Sequence, residues 1–170
     1  MRDQTESDLM TEFEPGNPLD SVEDILANQN WSFSRMAADE LMVDITGHLG
    51  NYRMIFNWQE EACAMQFTCF IDKMIPAERT DLVALSLARI NAMLWLGHFD
   101  LPTDTLMPCF RHTTLFRGQM SSGIDHLQEL MDIALNECER FFPAFDTLAR
   151  IEDITEDVLS LAISDVAGEG

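Results

Sequence analysis

His98 and Asp100 stand two residues apart in a stretch of alternating character, so on a strand both side chains would point to one side. With Asp104 or His112 they make the one set whose residue types could hold a transition metal. Such a site needs three or four convergent ligands, and spacing alone brings only two together. A small metal-dependent enzyme or metal sensor using His98, Asp100 and His112 is therefore the alternative reading of the chain, and placement beside a turn is the simpler one. Ser121-Ser122-Gly123 offers a hydroxyl, but it lacks the first glycine of a G-x-S-x-G elbow and follows no apolar strand directly. Ser122, with Asp125 three residues on, reads as a helix capping box instead. Gly47 and Gly50 flank a hairpin turn, not the strand-to-helix junction of a phosphate cradle. Glu152, Asp153, Glu156 and Asp157 lack the spacing and central glycine of a calcium loop and suit a helix N-terminus. No catalytic constellation and no cofactor motif is legible, so the chain reads as non-enzymatic and cofactor-free.

Composition narrows the partners. The chain has 170 residues, 46% of them hydrophobic, enough for one ordinary core. Its formal net charge is −20, with 30 acidic residues against 10 basic ones, and Lys73 is the only lysine. Phosphate binding needs Lys and Arg to displace counterions, so nucleic acid is a poor partner, and anionic membranes are disfavoured for the same reason. A basic or amphipathic protein suits this surface better, although acidity also serves plain solubility. Half the excess charge lies at the two ends, residues 1–16 and 151–170. The N-terminus shows no basic stretch followed by an apolar run, so no signal peptide is expected, and no segment is apolar for long enough to cross a bilayer. Cys63, Cys69, Cys109 and Cys138 share no CxxC spacing, and three sit in apolar patterns as small hydrophobes. A reducing, cytoplasmic compartment fits them.

The elements that must position these residues follow from periodicity. Residues 1–16 are acidic and non-periodic and read as a disordered arm. Asn17, Pro18 and Asp20 then open a helix whose buried stripe is Leu19, Val22, Ile25 and Leu26. The period changes to two through Trp31 and Phe33, then Leu41, Val43 and Ile45. Past the turn at 47–51 it continues with Tyr52, Met54, Phe56 and Trp58, then Met65, Phe67, Cys69 and Ile71. Short links between alternating strands predict an antiparallel meander with one buried face. On the other face Met42 and Ile55, with Phe70 near if the register holds, stand among polar neighbours. Flexible thioethers suit a surface that accepts a protein client, and with 11 methionines this is the one compositional hint of binding.

Pro76 and Glu78 predict a second helix running to about Leu96 and stopping at Gly97. It is apolar nearly all round, where a surface helix over one sheet needs only a stripe. In a short chain this points to a homodimer, with Val83, Leu87, Ile90, Leu94 and Trp95 on its dimer or packing surface. Residues 98–101 and 106–115 predict two more strands. A long helix follows, with the stripe Leu127, Leu130, Met131, Ala134, Leu135, Cys138, Phe141, Phe142 and Phe145, which Pro143 should kink or end. Thr155 begins a last helix carrying Val158, Leu161 and Ala162. Strands and helices segregate, so the fold class is α+β. The domain covers 17–150, with an acidic C-terminal helix and tail over 151–170.

The run Glu137 to Phe145, ECERFFPAF, resembles the signature of the YbjN family of bacterial proteins, in which such a block ends a long helix. The tail from Glu156-Asp157-Val158-Leu159 to Val166-Ala167-Gly168-Glu169 is similar to that family's, as are Leu41-Met42-Val43 and Phe56-Asn57-Trp58. The layout matches from about Asn17 to Glu169, though only the ECERFFPAF block is specific. The chain departs from the pattern in carrying Phe141-Phe142 where tyrosines are common, and in lacking the Trp-Gly-Gly that often follows the block. The resemblance implies a fold like type III secretion chaperones, in a small, acidic, cytoplasmic, homodimeric protein of a family described as sensory-transduction or stress regulators. It brings no enzymatic activity with it. The expectation is a dimeric protein-binding module with an unknown protein client.

Overall fold

A computed structural model describes residues 16–116, 124–150 and 155–167 of the chain. Helix α1 (Pro18–Asn28) begins as its sequence prescribes: the Leu19 N–H donates to Asn17 Oδ1 at 3.0 Å, and Pro18 takes the first turn, where its missing N–H costs nothing. Leu19, Val22, Ile25 and Leu26 are buried. Strands β1 (Phe33–Ala37), β2 (Glu40–Thr46), β3 (Asn51–Gln59) and β4 (Ala64–Ile71) form the meander. Thr46 pairs with Asn51 across the tight turn, and that register places Leu41, Val43, Ile45, Tyr52, Met54, Phe56 and Trp58 on one face. A 3-10 turn at Ala77–Arg79 leads into α2 (Thr80–Asn91), followed by β5 (His98–Asp100), β6 (Cys109–Leu115), α3 (Ile124–Arg150) and α4 (Glu156–Ala167).

The sheet has six strands in the order β1-β2-β3-β4-β6-β5, and every neighbouring pair is antiparallel. Helices α1 and α3 pack on its inner face, with α3 against β4 and β6, while α2 lies at the β5 end and α4 packs on α3 and α2. One core contains the inner residues of the sheet, the stripes of α1 and α3, and Leu159 and Ile163 of α4. This is an α+β fold.

Several boundaries differ from the sequence reading. Helix α2 ends at Asn91, not near Leu96, because the Asn91 side chain is committed to the next strand: its Nδ2 donates to Phe99 O and its Oδ1 accepts from Phe99 N. The chain tightens into i→i+3 turns at Met93 and Leu94 and swings into β5 at Gly97, whose φ of 64° is open to glycine at little cost. Strand β6 starts at Cys109, three residues late, because Leu106 adopts a left-handed φ of 52°. Helix α3 runs past Pro143 to Arg150. Pro143 is exposed, so the carbonyl it leaves without a partner can face water, while Ala144, Phe145 and Leu148 stay fully buried. In α4 the buried pair is Leu159 and Ile163, and Val158 and Leu161 point outward. Both stripes are apolar, so periodicity alone does not choose between them. The disordered arm and the Ser122 cap fall outside the described residues, apart from Gly16.

Candidate functional site: the open face of the sheet

His98 and Asp100 do share a side, as their spacing requires. The pairing of β5 with β6 sets them opposite Arg111 and Cys109, on the face away from the helices. His112 lies one step along β6, opposite Phe67, and so points to the inner face beneath α3. The three residues of the alternative metal set are therefore split across the sheet, and Asp104 stands exposed in the loop between β5 and β6. Asp100 already accepts from Arg111 Nη1 at 2.9 Å and from Leu101 N at 2.8 Å. Among the described residues no three His, Cys, Asp or Glu side chains converge. Burial, and after it the nearby His126 and His98, lower the His112 pKa, which favours the neutral ring.

The outer face has no helix over it among the described residues. Met42 is the direct partner of Ile55, Ile55 of Thr68, and Arg53 of Phe70, so Met42, Ile55 and Phe70 form one half-buried apolar patch across β2, β3 and β4. Asp44 stands opposite Arg53 and takes two of its N–H groups, at 2.7 and 3.3 Å. These bonds raise the Arg53 pKa, and Asp72 adds to the effect. A pocket of about 330 Å³ opens at this end of the face, with Asp44, Thr46, Arg53, Phe70, Asp72 and Met107 in its walls. That is the lower end of the volume range for sites that accept a small group.

Both edges of the sheet are blunted. On β5, Asn91 occupies the N–H and C=O of Phe99 that an added strand would use. On β1, the register slips between Arg35 and Ala37, and the Arg35 guanidinium donates to the carbonyls of Ala37 and Ala38. The face offers more than the edges do.

The residues expected on the second helix separate into two groups. Val83 and Ile90 are 0% exposed and belong to the chain's own core. Leu87 and Leu94 are half-buried, and Trp95 is 77% exposed. Part of the helix is covered by α4, where Arg89 donates to Ser160 at 2.6 Å. Leu85 of α2 and Val158 and Leu161 of α4 are exposed besides Trp95.

Comparison with known proteins decides the family. The family model for YbjN, described as "Putative bacterial sensory transduction regulator", matches residues 18–147. The chain belongs to the YbjN family. Its fold is similar to that of a solved structure described as "Crystal structure of YbjN, a putative transcription regulator from E. coli", with a TM-score of 0.51 and 10% identity over 89% of this chain and 93% of that one. At that identity the likeness is one of fold. No curated protein matches the chain. No helix among the described residues is long and apolar enough to cross a membrane.

In this YbjN-family chain the ECERFFPAF block is a clamp on the sheet. Glu139 Oε1 accepts from the Leu49 N–H in the β2–β3 turn, at 3.3 Å. Phe142 lies against Gly50 and meets Tyr52 edge-on, and Lys73 stands over its ring while pairing with Asp146 at 2.7 Å. Phe141 and Phe145 pack on Phe99 at centroid separations of 5.6 and 5.2 Å, and Ala144 is fully buried. Each aromatic pair contributes about 1 kcal/mol beyond its buried area. Tyr52 Oη is buried beside the Glu139 carboxylate; burial first, then Glu139, push its pKa up and keep it protonated. Sequence reasoning missed Asp44 and Arg53 although the tight turn between them fixes their register. Asp72 and Met107 lie beyond strand ends, where alternation carries no signal.

Proposed function

We propose that this YbjN-family protein is a non-enzymatic protein-binding module, dimeric, cytoplasmic and regulatory, with the chaperone-like use of its fold that the type III secretion resemblance implies. The observation that carries the reading is the outer sheet face: Met42, Ile55 and Phe70 stay half-buried on a side that no described helix covers, beside a pocket with charged walls. The family description as a regulator supports it, and four free thiols fit a reducing compartment. Clients meet the face through side chains in preference to strand addition, since Asn91 and the β1 bulge occupy the edges. The dimer uses the flank formed by α2, the turn after it and α4, with half-buried Leu87 and Leu94 and exposed Trp95 joined by Leu85 and Leu161; Val83 and Ile90 support that flank from inside.

Two measurements test this. A photo-crosslinking amino acid at Ile55 should trap one dominant protein in the native host, while the same group at Asp132, exposed on α3, should not. Equal trapping at both positions overturns the binding face. Sedimentation at micromolar concentration should give a dimer that Trp95→Ser weakens, and a monomeric parent protein removes the dimer from the proposal.

A further inference from the structure

Among the described residues, the cations of this protein are already occupied. Of its ten Lys and Arg residues, Arg2 and Arg117 lie outside the described residues, and every other one bonds within the chain. On the outer face Arg53 is held by Asp44 and Arg111 by Asp100. Glu40 and Asp72, on the same side of the sheet, make no ion pair among the described residues. What remains for a partner is unpaired carboxylate around an apolar patch. The pocket repeats the theme on a small scale, with Phe70 and Met107 as apolar wall, Arg53 paired to Asp44, and an exposed Asp72 in its lining. That combination suits a Lys or Arg side chain, whose alkyl stem packs on apolar surface while its head stays charged and hydrated.

Charge also excludes occupants. The acidic residues 1–16 would bring carboxylates to the unpaired carboxylates of this face, and the second copy proposed above sits on the flank of α2 and α4, away from it. Building on the protein-binding reading above, we infer that the client segment is basic and amphipathic, with apolar side chains on Met42, Ile55 and Phe70 and a Lys or Arg in the pocket beside Asp72.

Fluorescence anisotropy with three short labelled peptides tests this on the full chain: mixed Arg and Leu, mixed Arg and Ser, mixed Glu and Leu. The Arg–Leu peptide should bind, with Arg–Ser roughly ten-fold weaker, the worth of one or two buried apolar groups. Asp72→Asn should weaken the Arg–Leu peptide about three-fold, as loss of one exposed pair does. Asp132→Asn removes the same charge from α3 and should leave binding unchanged. Equal losses from the two Asn variants would reduce the effect to general attraction by an acidic protein and overturn the inference. So would Arg–Ser binding as tightly as Arg–Leu, or Glu–Leu binding best. The photo-crosslink at Ile55 separates the two levels. A trapped client segment rich in Lys or Arg supports the inference, and a neutral or acidic one refutes it while leaving the protein-binding reading intact. Trapping of nothing but a second copy refutes both.

Discussion

Gly50→Ala is the sharpest probe of the clamp between the signature block and the sheet. Gly50 is not among the residues with positive φ, so a methyl group there brings no backbone strain. The obstacle is one ring: a Cβ at Gly50 would lie 3.0 Å from Phe142 Cζ and nearer still to Cε2. Phe142 is itself 9% exposed and pressed against Tyr52 and Lys73, so it has little room to give. Overpacking of this kind costs about 1–3 kcal/mol, while replacing Gly by Ala recovers about 0.4–1 kcal/mol from the unfolded chain. The net expectation is a loss of about 1–2 kcal/mol, read as a lower midpoint in urea unfolding at unchanged slope. Phe142→Ala alone should cost about 3 kcal/mol. In that background the obstacle is gone and only the entropic gain remains, so Gly50→Ala should become neutral or mildly stabilising. The sign reversal is the decisive readout. If Gly50→Ala costs the same with Phe142 present and absent, the two do not meet, and the clamp is wrong.

Three further expectations follow from other parts of the molecule. His112 is held below the ordinary histidine value, so the unfolded chain binds its proton first; stability should be full above about pH 6.5 and fall as pH drops through the folded value, and His112→Gln should flatten that fall in unfolding curves at pH 7.5 and 5.5. Of the four thiols, half-buried Cys63 should react with an aromatic disulfide reagent in the native protein, while Cys69, Cys109 and Cys138 react only on unfolding; burial pushes Cys109 up to about 12 and raises Cys138 as well, and fast labelling of more than one thiol would contradict the core. Asn91→Ala strips Phe99 of both its side-chain bonds and should cost about 1–3 kcal/mol and promote concentration-dependent association through β5, seen by light scattering; unchanged stability and association would mean the edge needs no cap.

The meander was legible because its links are short and its alternation strict: once Thr46 faces Asn51, every pair from Glu40–Asn57 to Ile45–Tyr52 is determined. The insertion of β6 between β4 and β5 was not, since nothing local says which later strand pairs with β4. Polar residues on the inner face blurred the pattern as well. His112 and Thr114 occupy positions where alternation from Phe110 calls for apolar side chains, and Thr114 is buried with its hydroxyl unpaired among the described residues. That is why His112 could be grouped with His98 and Asp100 on sequence grounds although it points the other way. The end of α2 depended on a tertiary bond from Asn91 to Phe99, which no local propensity contains.

The most specific word in the sequence describes architecture. Glu139 bonds the β2–β3 turn, Phe142 covers Gly50, and Phe141 and Phe145 close on Phe99, so ECERFFPAF identifies a fold by holding its long helix to its sheet. A residue committed to such contacts is not free to meet a client. The binding surface must then be sought where side chains are left over, and the outer face is defined by topology: the four described helices leave it uncovered. Met42 and Ile55 look like ordinary gap-fillers one at a time. They become a surface because the register sets them side by side, next to an Arg paired with Asp44 and an Asp72 that makes no ion pair among the described residues. Charge and packing thus point to the same place for independent reasons, and a client that satisfied only one of them would leave either buried carboxylate or exposed apolar area behind.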